Sequence, residues 1–258
     1  MPEEQRGYRI AERMLAEAVG EPVETIARGA WPDASFPERF ERWIDEHEPE
    51  LVFLKVNWYW YGYESLPLRF ERLFGKPGKA LGRAGLRAGK NPRFASSRSL
   101  QAGRRALTRL VGGGATHFTP EQIVDCIDAC IRRGAAHENL TLVVRGPSMS
   151  GGWGYAPMTS KATWRRHDAR REYIARHLKA ACDRHHVFYL SQETKLTKEE
   201  LKGRLTPAWF RSSPTGHTYM GRDEGEAMIA AWRQAHALSN NSGGLGSSEI
   251  PERVSDRG

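Results

Sequence analysis

Three residues far apart in this 258-residue chain have the side-chain or backbone types that acyl transfer uses. Gly29, in Ile26-Ala27-Arg28-Gly29-Ala30, offers a bare backbone N–H at what reads as a strand-to-helix turn. Asn57 offers a side-chain amide directly after the apolar run Leu51-Val52-Phe53-Leu54-Lys55-Val56, at a strand's carboxyl end, where open α/β sheets bind ligands. His217, in Ser213-Pro214-Thr215-Gly216-His217-Thr218-Tyr219-Met220-Gly221, supplies an imidazole. Two N–H donors stabilise a developing oxyanion and the imidazole moves the proton.

The elements that must hold these groups alternate along the chain. Ala11, Met14, Leu15, Ala18 and Val19 recur at helical spacing, and Gly20 stands where a left-handed cap ends a helix. Val23-Glu24-Thr25-Ile26-Ala27 reads as a short strand. Ser35-Phe36-Pro37-Glu38 has capping-box spacing with an early proline; Phe40, Trp43, Ile44 and His47 then mark one helix face, closed off by Pro49. The strand ending at Asn57 follows. Thr119-Pro120-Glu121-Gln122 repeats the capping box and opens a helix to about Arg133, with Gly134 beyond it. Next come the strand 140–144, a basic helix carrying Tyr173, Ile174, His177, Leu178 and Ala181 inward, and the strand 187–190. A last helix is expected from about Asp223 to Ala237, with Asp223, Glu224 and Glu226 in a first turn that suits its dipole. His217 then falls on a loop before it.

Strands separated by helices of this length imply parallel pairing with right-handed crossovers, hence an α/β chain with a doubly wound parallel sheet covered on both faces. Four strands are recognisable where five are expected. The reading is one domain over 1–238 with an inserted segment at 58–118, and a disordered tail at 239–258 rich in Ser, Gly, Asn and charge.

In order and setting, Gly29, Asn57 and His217 resemble the second, third and fifth blocks of the SGNH hydrolases, the GDSL-type esterases and lipases. The resemblance covers most of the chain outside the insertion and the tail. It implies a flavodoxin-like three-layer sandwich, no cofactor, and ester hydrolysis through a serine acyl-enzyme, with Gly29 and Asn57 as oxyanion donors and His217 as general base. Two features depart from that pattern. The first block, a strand with a Gly-Asp-Ser turn, belongs directly before the first helix, yet only Met1-Pro2-Glu3-Glu4-Gln5-Arg6 precedes Gly7-Tyr8. The family's acid, three residues before the histidine, is Pro214. Such a first strand lies centrally, between 23–27 and 51–56, and its removal leaves backbone groups unpaired in the sheet. The expectation is therefore a longer reading frame whose upstream segment holds that strand and the serine.

Other residues that carry chemistry have simpler readings beside the functional one. Gly29 also suits a plain turn, Asn57 a loop cap, and His217 a surface or capping histidine. Trp58, Tyr59, Trp60, Tyr61 and Tyr63 either wall an acyl or sugar site or form the buried base of the insertion. Ser148, in Arg145-Gly146-Pro147-Ser148-Met149, lacks a nucleophile elbow and reads as a turn. His185-His186 point to opposite faces of a strand entry and do not suit a metal. Cys126 and Cys130 lie one helical turn apart beside Ile123, Ile127 and Ile131, as small apolar core residues, and with Cys182 make an odd count that fits a reducing compartment.

Charge concentrates in one place. Between Arg69 and Arg109 twelve Lys and Arg face the single acid Glu71, in a chain of net charge +8, so the remainder is slightly acidic. Leu100, Gly103, Leu107, Leu110 and Val111 keep helical spacing with Arg104, Arg105 and Arg109 on other faces. That suits a lid, a solvated flap or a contact with an anionic surface. Glycines at 82, 85 and 89 interrupt any groove-filling helix, and no nucleic-acid partner is expected. The expected substrate is an acylated carbohydrate, a lipid or a small ester; the alternative is a non-catalytic relative that uses its cleft and basic insertion to bind an acidic partner or a membrane surface. No run approaches the roughly 20 apolar residues that cross a bilayer. The compartment is cytoplasmic by default, or extracellular where an upstream segment carries a secretion signal.

Overall fold

Leu51–Lys55 (β1), Thr141–Arg145 (β2) and Phe188–Leu190 (β3) form a parallel sheet in the order β1-β2-β3. A computed structural model describes residues 2–62, 64–89, 113–147, 161–191 and 214–242, with short pieces at 102–103, 106–107 and 110. Among the described residues the main helices are α1 (Gly7–Val19), α2 (Phe36–His47), α3 (Trp58–Gly62), α4 (Leu66–Gly89), α5 (Pro120–Ala135), α6 (Lys161–Arg184) and α7 (Pro214–Ser242). The chain is a mixed helix and strand protein built on a small parallel sheet, as its alternating pattern predicts.

Alternation along the strands sends residues to two faces. Leu54, Val56, Leu142 and Val144 join one apolar cluster with Phe36, Phe40 and Ile44 of α2, Ile123, Ile127 and Ile131 of α5, and Ile174 and Leu178 of α6. Val143, fully buried, lies outside that cluster; its face is covered by α7, on which α1 packs, and Ala11, Leu15, Ala227 and Ala231 are buried there. The three cysteines are buried and unpaired; Cys126, Cys130 and Cys182 belong to the first cluster. Burial pushes the Cys182 thiol up to about 12, a sign of packing rather than reactivity.

The local signals hold where they rest on capping chemistry. Gly20 is left-handed at φ 82° and donates its N–H to the Ala16 carbonyl. Thr119 and Gln122 make the reciprocal capping box, at 3.2 and 2.9 Å. At α2 the capping box does not form. Asp33 takes its place, accepting from the Ser35 N–H at 3.0 Å and hydroxyl at 2.7 Å, and the C-cap is the left-handed Glu48.

Four expectations need correction. The strand at 23–27 is absent: the segment has no ladder partner, the Thr25 N–H donates to Glu12 Oε2 of α1 at 2.8 Å, and Ile26 is half exposed. β propensity cannot substitute for a neighbouring strand. Gly134 lies inside α5 rather than after it, buried where an added Cβ would meet Leu142 Cδ2 at 2.8 Å, so close packing on β2 and not a helix end accounts for the glycine. The last helix begins at Pro214, a residue suited to a first helical position, so His217 is helical rather than on a loop, and Asp223, Glu224 and Glu226 lie well inside the helix. That helix also runs through Ser242, past the expected start of the tail at 239; residues 243–258 lie outside the described residues.

α1 and α7 run side by side in the same direction. Gly7 faces His217 and Gly221, and Ala11 and Met14 face Gly225. A Cβ on Gly221 would stand 2.7 Å from Ile10 Cβ and 2.5 Å from the Gly7 carbonyl oxygen, so the two backbones meet at a spacing only glycine permits.

Candidate active site at the carboxyl edge of the sheet

All three strands end at one edge, which gathers Lys55 and Asn57 after β1, Arg145 and Gly146 at β2, and Leu190 at β3. Asn57 caps α3. Its Oδ1 accepts from the Tyr59 N–H at 3.0 Å and its carbonyl from the Trp60 N–H at 3.1 Å. Pinning Oδ1 fixes the amide plane and leaves Nδ2 as the donor turned away from the helix, with no partner among the described residues. Of the following aromatics, Trp60 and Tyr61 are buried in the first core cluster, while Tyr59 is half exposed; Tyr63 lies outside the described residues.

His217, in the first turn of α7, is turned toward α1. Its Nδ1 accepts the Gly7 N–H at 3.1 Å, satisfying one of the N–H groups that a helix start leaves open. An Nδ1 that accepts carries no proton, so the neutral ring is protonated on Nε2. A general base of the serine-hydrolase type uses the opposite tautomer, with Nδ1–H held by an acceptor and Nε2 bare. Gly29 is exposed on the segment between α1 and α2, and a Cβ there would meet nothing within 4 Å. Its neighbour Arg28 reaches His47 Nε2 at 3.1 Å, and Trp31 stacks obliquely on His117 and Phe118 at 6.0 Å. Neither Gly29 nor Asn57 hydrogen-bonds to His217. Ser148 lies outside the described residues.

The strongest electrostatics of this edge fall on residues that sequence reasoning passed over. Lys55 and Arg145 are register partners on the face covered by α7. Both meet Glu224, Lys55 Nζ at 2.6 Å, and Arg145 Nη2 also reaches Asp223 Oδ2 at 3.4 Å. Arg145 and Glu224 are almost entirely buried, so each neutralises a charge the interior would not otherwise hold. The Tyr189 ring lies against Gly146, and burial lifts its phenol to about 12.

A second knot forms around Glu64. Its carboxylate accepts from the Gly114 N–H at 3.0 Å, from Arg166 Nη2 at 3.2 Å and from Arg170 Nη1 at 3.1 Å, with His167 Nε2 at 3.7 Å. Burial alone would raise this carboxyl, but the close approach of His167, the hydrogen bonds of Arg166 and the charges of Arg166 and Arg170 outweigh it and hold it down to about 2. Beside it Ser65 and Ala115 exchange backbone hydrogen bonds at 2.8 and 3.0 Å, closing the base of the insertion. The sequence signal for this knot is a run of Arg and His on α6, whose partner 102 residues or more away carries no mark.

Among the described residues no three His, Cys, Asp or Glu side chains converge as a metal site. His185 and His186 lie in the turn before β3, His186 at φ 55°. No family model matches the chain, and no curated protein or solved structure matches it. What sheet and edge define is a class, an α/β protein whose strand ends carry an oriented amide and a buried ion cluster, with a second ion knot between the insertion and α6.

Proposed function

We propose that this chain supplies the oxyanion side of an SGNH-type ester hydrolase, with a flavodoxin-like three-layer fold, whose serine lies on a strand encoded upstream of Met1. The observation that carries the reading is Asn57, an amide with its acceptor pinned and its donor open at the carboxyl end of an edge strand. The β1–β2 ladder uses Glu50 and Val56, so the N–H and C=O groups of Leu51 and Phe53 point to the opposite side, where no strand lies among the described residues. A parallel strand added there runs about 4.8 Å from β1 and ends beside Asn57. The turn after it leads directly into α1. The segment 23–27 lacks a partner for the same reason.

A second reading is favoured by one observation, the His217 Nδ1 bound to the Gly7 N–H. In that reading the protein is a non-catalytic relative that uses its cleft and its basic insertion to bind an acidic partner or a membrane surface. The experiment that separates them expresses the full upstream reading frame and treats it with a fluorophosphonate and a short nitrophenyl ester. The hydrolase reading expects covalent labelling at an upstream serine, and turnover that drops in Asn57→Asp, which keeps the cap and removes the donor. An in-frame stop directly before Met1, or an unlabelled full-length protein, ends it in favour of the second.

A further inference from the structure

The basic insertion, which the second reading uses only as a source of charge, also carries exposed apolar side chains at a defined tip. α4 is two helices, broken at Gly75, whose φ of 60° and ψ of −134° admit glycine. The second half folds back on the first. Gly78 faces the Phe70 carbonyl, Lys79 pairs with Glu71 at 3.0 Å, and a Cβ on Gly82 would touch Pro67 at 2.9 Å. The result is an antiparallel helical hairpin whose base is fixed by the Ser65–Ala115 bridge and the Glu64 knot. Its first arm, nine residues long, carries the bend about 13 Å from that base.

The tip is apolar and basic at once. Leu73 is 47% exposed and Phe74 57%, with Phe74 stacked on Phe70 at 6.0 Å, and exposed Lys76 and Pro77 follow the bend. Farther along the same insertion Leu107 and Leu110 are also exposed, Leu110 at 85%. A solvated basic flap needs no phenyl ring at its end, and a nucleic-acid groove gains little from an aliphatic one. A bilayer interface rewards both, since it takes apolar side chains below the headgroups and cations among them. No helix among the described residues is long and apolar enough to cross a membrane, so the contact is peripheral.

We propose that the hairpin tip, through Leu73 and Phe74 with Lys76 beside them, docks the protein on an anionic lipid bilayer. The twelve cations between Arg69 and Arg109, against one acid, supply the long-range attraction, and the two apolar side chains supply the grip. The proposal is independent of the chemistry at the sheet edge.

Sedimentation of the whole chain with phosphatidylcholine vesicles, with and without phosphatidylserine, tests it. Binding is expected only where phosphatidylserine is present, falling as salt rises from about 0.1 to about 1 M. Phe74→Ser weakens it about tenfold, the loss of one apolar anchor, while circular dichroism stays unchanged. Lys76→Glu has a similar effect at low salt, and Arg132→Glu, a charge change on α5, has none. Equal binding to both vesicle types overturns the proposal, as does a Phe74→Ser protein that binds like the parent. So does a chain that ignores vesicles and is retained instead by an RNA homopolymer column.

Discussion

Replacing Glu64 by Gln removes the charge that ties the insertion to α6 while keeping the side chain's shape. In the native protein this carboxyl lies at about 2, against an ordinary 4.5. The sign follows from the direction. A depressed carboxyl stabilises the fold fully above its unfolded value and loses that contribution as pH falls from 4.5 toward 2. The whole shift corresponds to about 3.4 kcal/mol, and since water reaches the knot past Arg166, which is 34% exposed, about 2 kcal/mol is the sounder expectation. For a chain of this size that is a fall of about 4–8 °C in Tm at neutral pH. Linkage then sets the profile: the difference between parent and Glu64→Gln shrinks to about three quarters at pH 4 and about two fifths at pH 3. Urea unfolding followed by circular dichroism at pH 7, 4 and 3 reads it directly. Equal stability at pH 7, or a deficit as large at pH 3 as at pH 7, would refute the account of Glu64 as a charged hub.

Other outcomes follow from single contacts. Glu224→Leu should cost about 3 kcal/mol by leaving Arg145 underpaired in the interior, and adding Arg145→Met should recover most of it; a double variant no better than the single one contradicts the buried pair. Gly221→Ala should destabilise by about 1–3 kcal/mol, because α1 must move off α7; a neutral Tm would mean the helices are not packed so closely. Asn57→Ala should lose about 1 kcal/mol of cap energy and Asn57→Asp much less, by thermal unfolding, and equal losses would deny the Tyr59 N–H contact. In nitrogen-15 spectra at neutral pH, His217 should carry its proton on Nε2, and a signal for Nδ1–H would return the ring to the tautomer a base requires.

Particular residues mark how far the sequence could be read. Capping chemistry is local, so Gly20, Thr119 and Gln122 ended or opened their helices as their types foretell. Periodicity placed Ile174, Leu178 and Ala181 in the core, because a helix has one face to bury. At the candidate site, the position of Asn57 after β1 was legible, and its pinned amide was not. The segment 23–27 has strand composition and no strand, since a ladder depends on a partner that propensity does not report. The acids Asp223, Glu224 and Glu226 imitate a helix start and so set His217 on a loop, whereas Asp223 and Glu224 reach across the sheet edge to Arg145 and Lys55.

The sequence alone determined the alternation of elements, the parallel sheet it requires, the helix ends at Gly20 and Thr119 and the concentration of positive charge in the insertion, all of which rest on contacts within a few residues or on composition. Tertiary structure alone decided that Glu64 and Glu224 each gather cations from remote elements, that α1 and α7 meet through glycines, and that His217 caps α1. These depend on free energies between groups separated by 78 residues or more, and no local pattern encodes a distance in space.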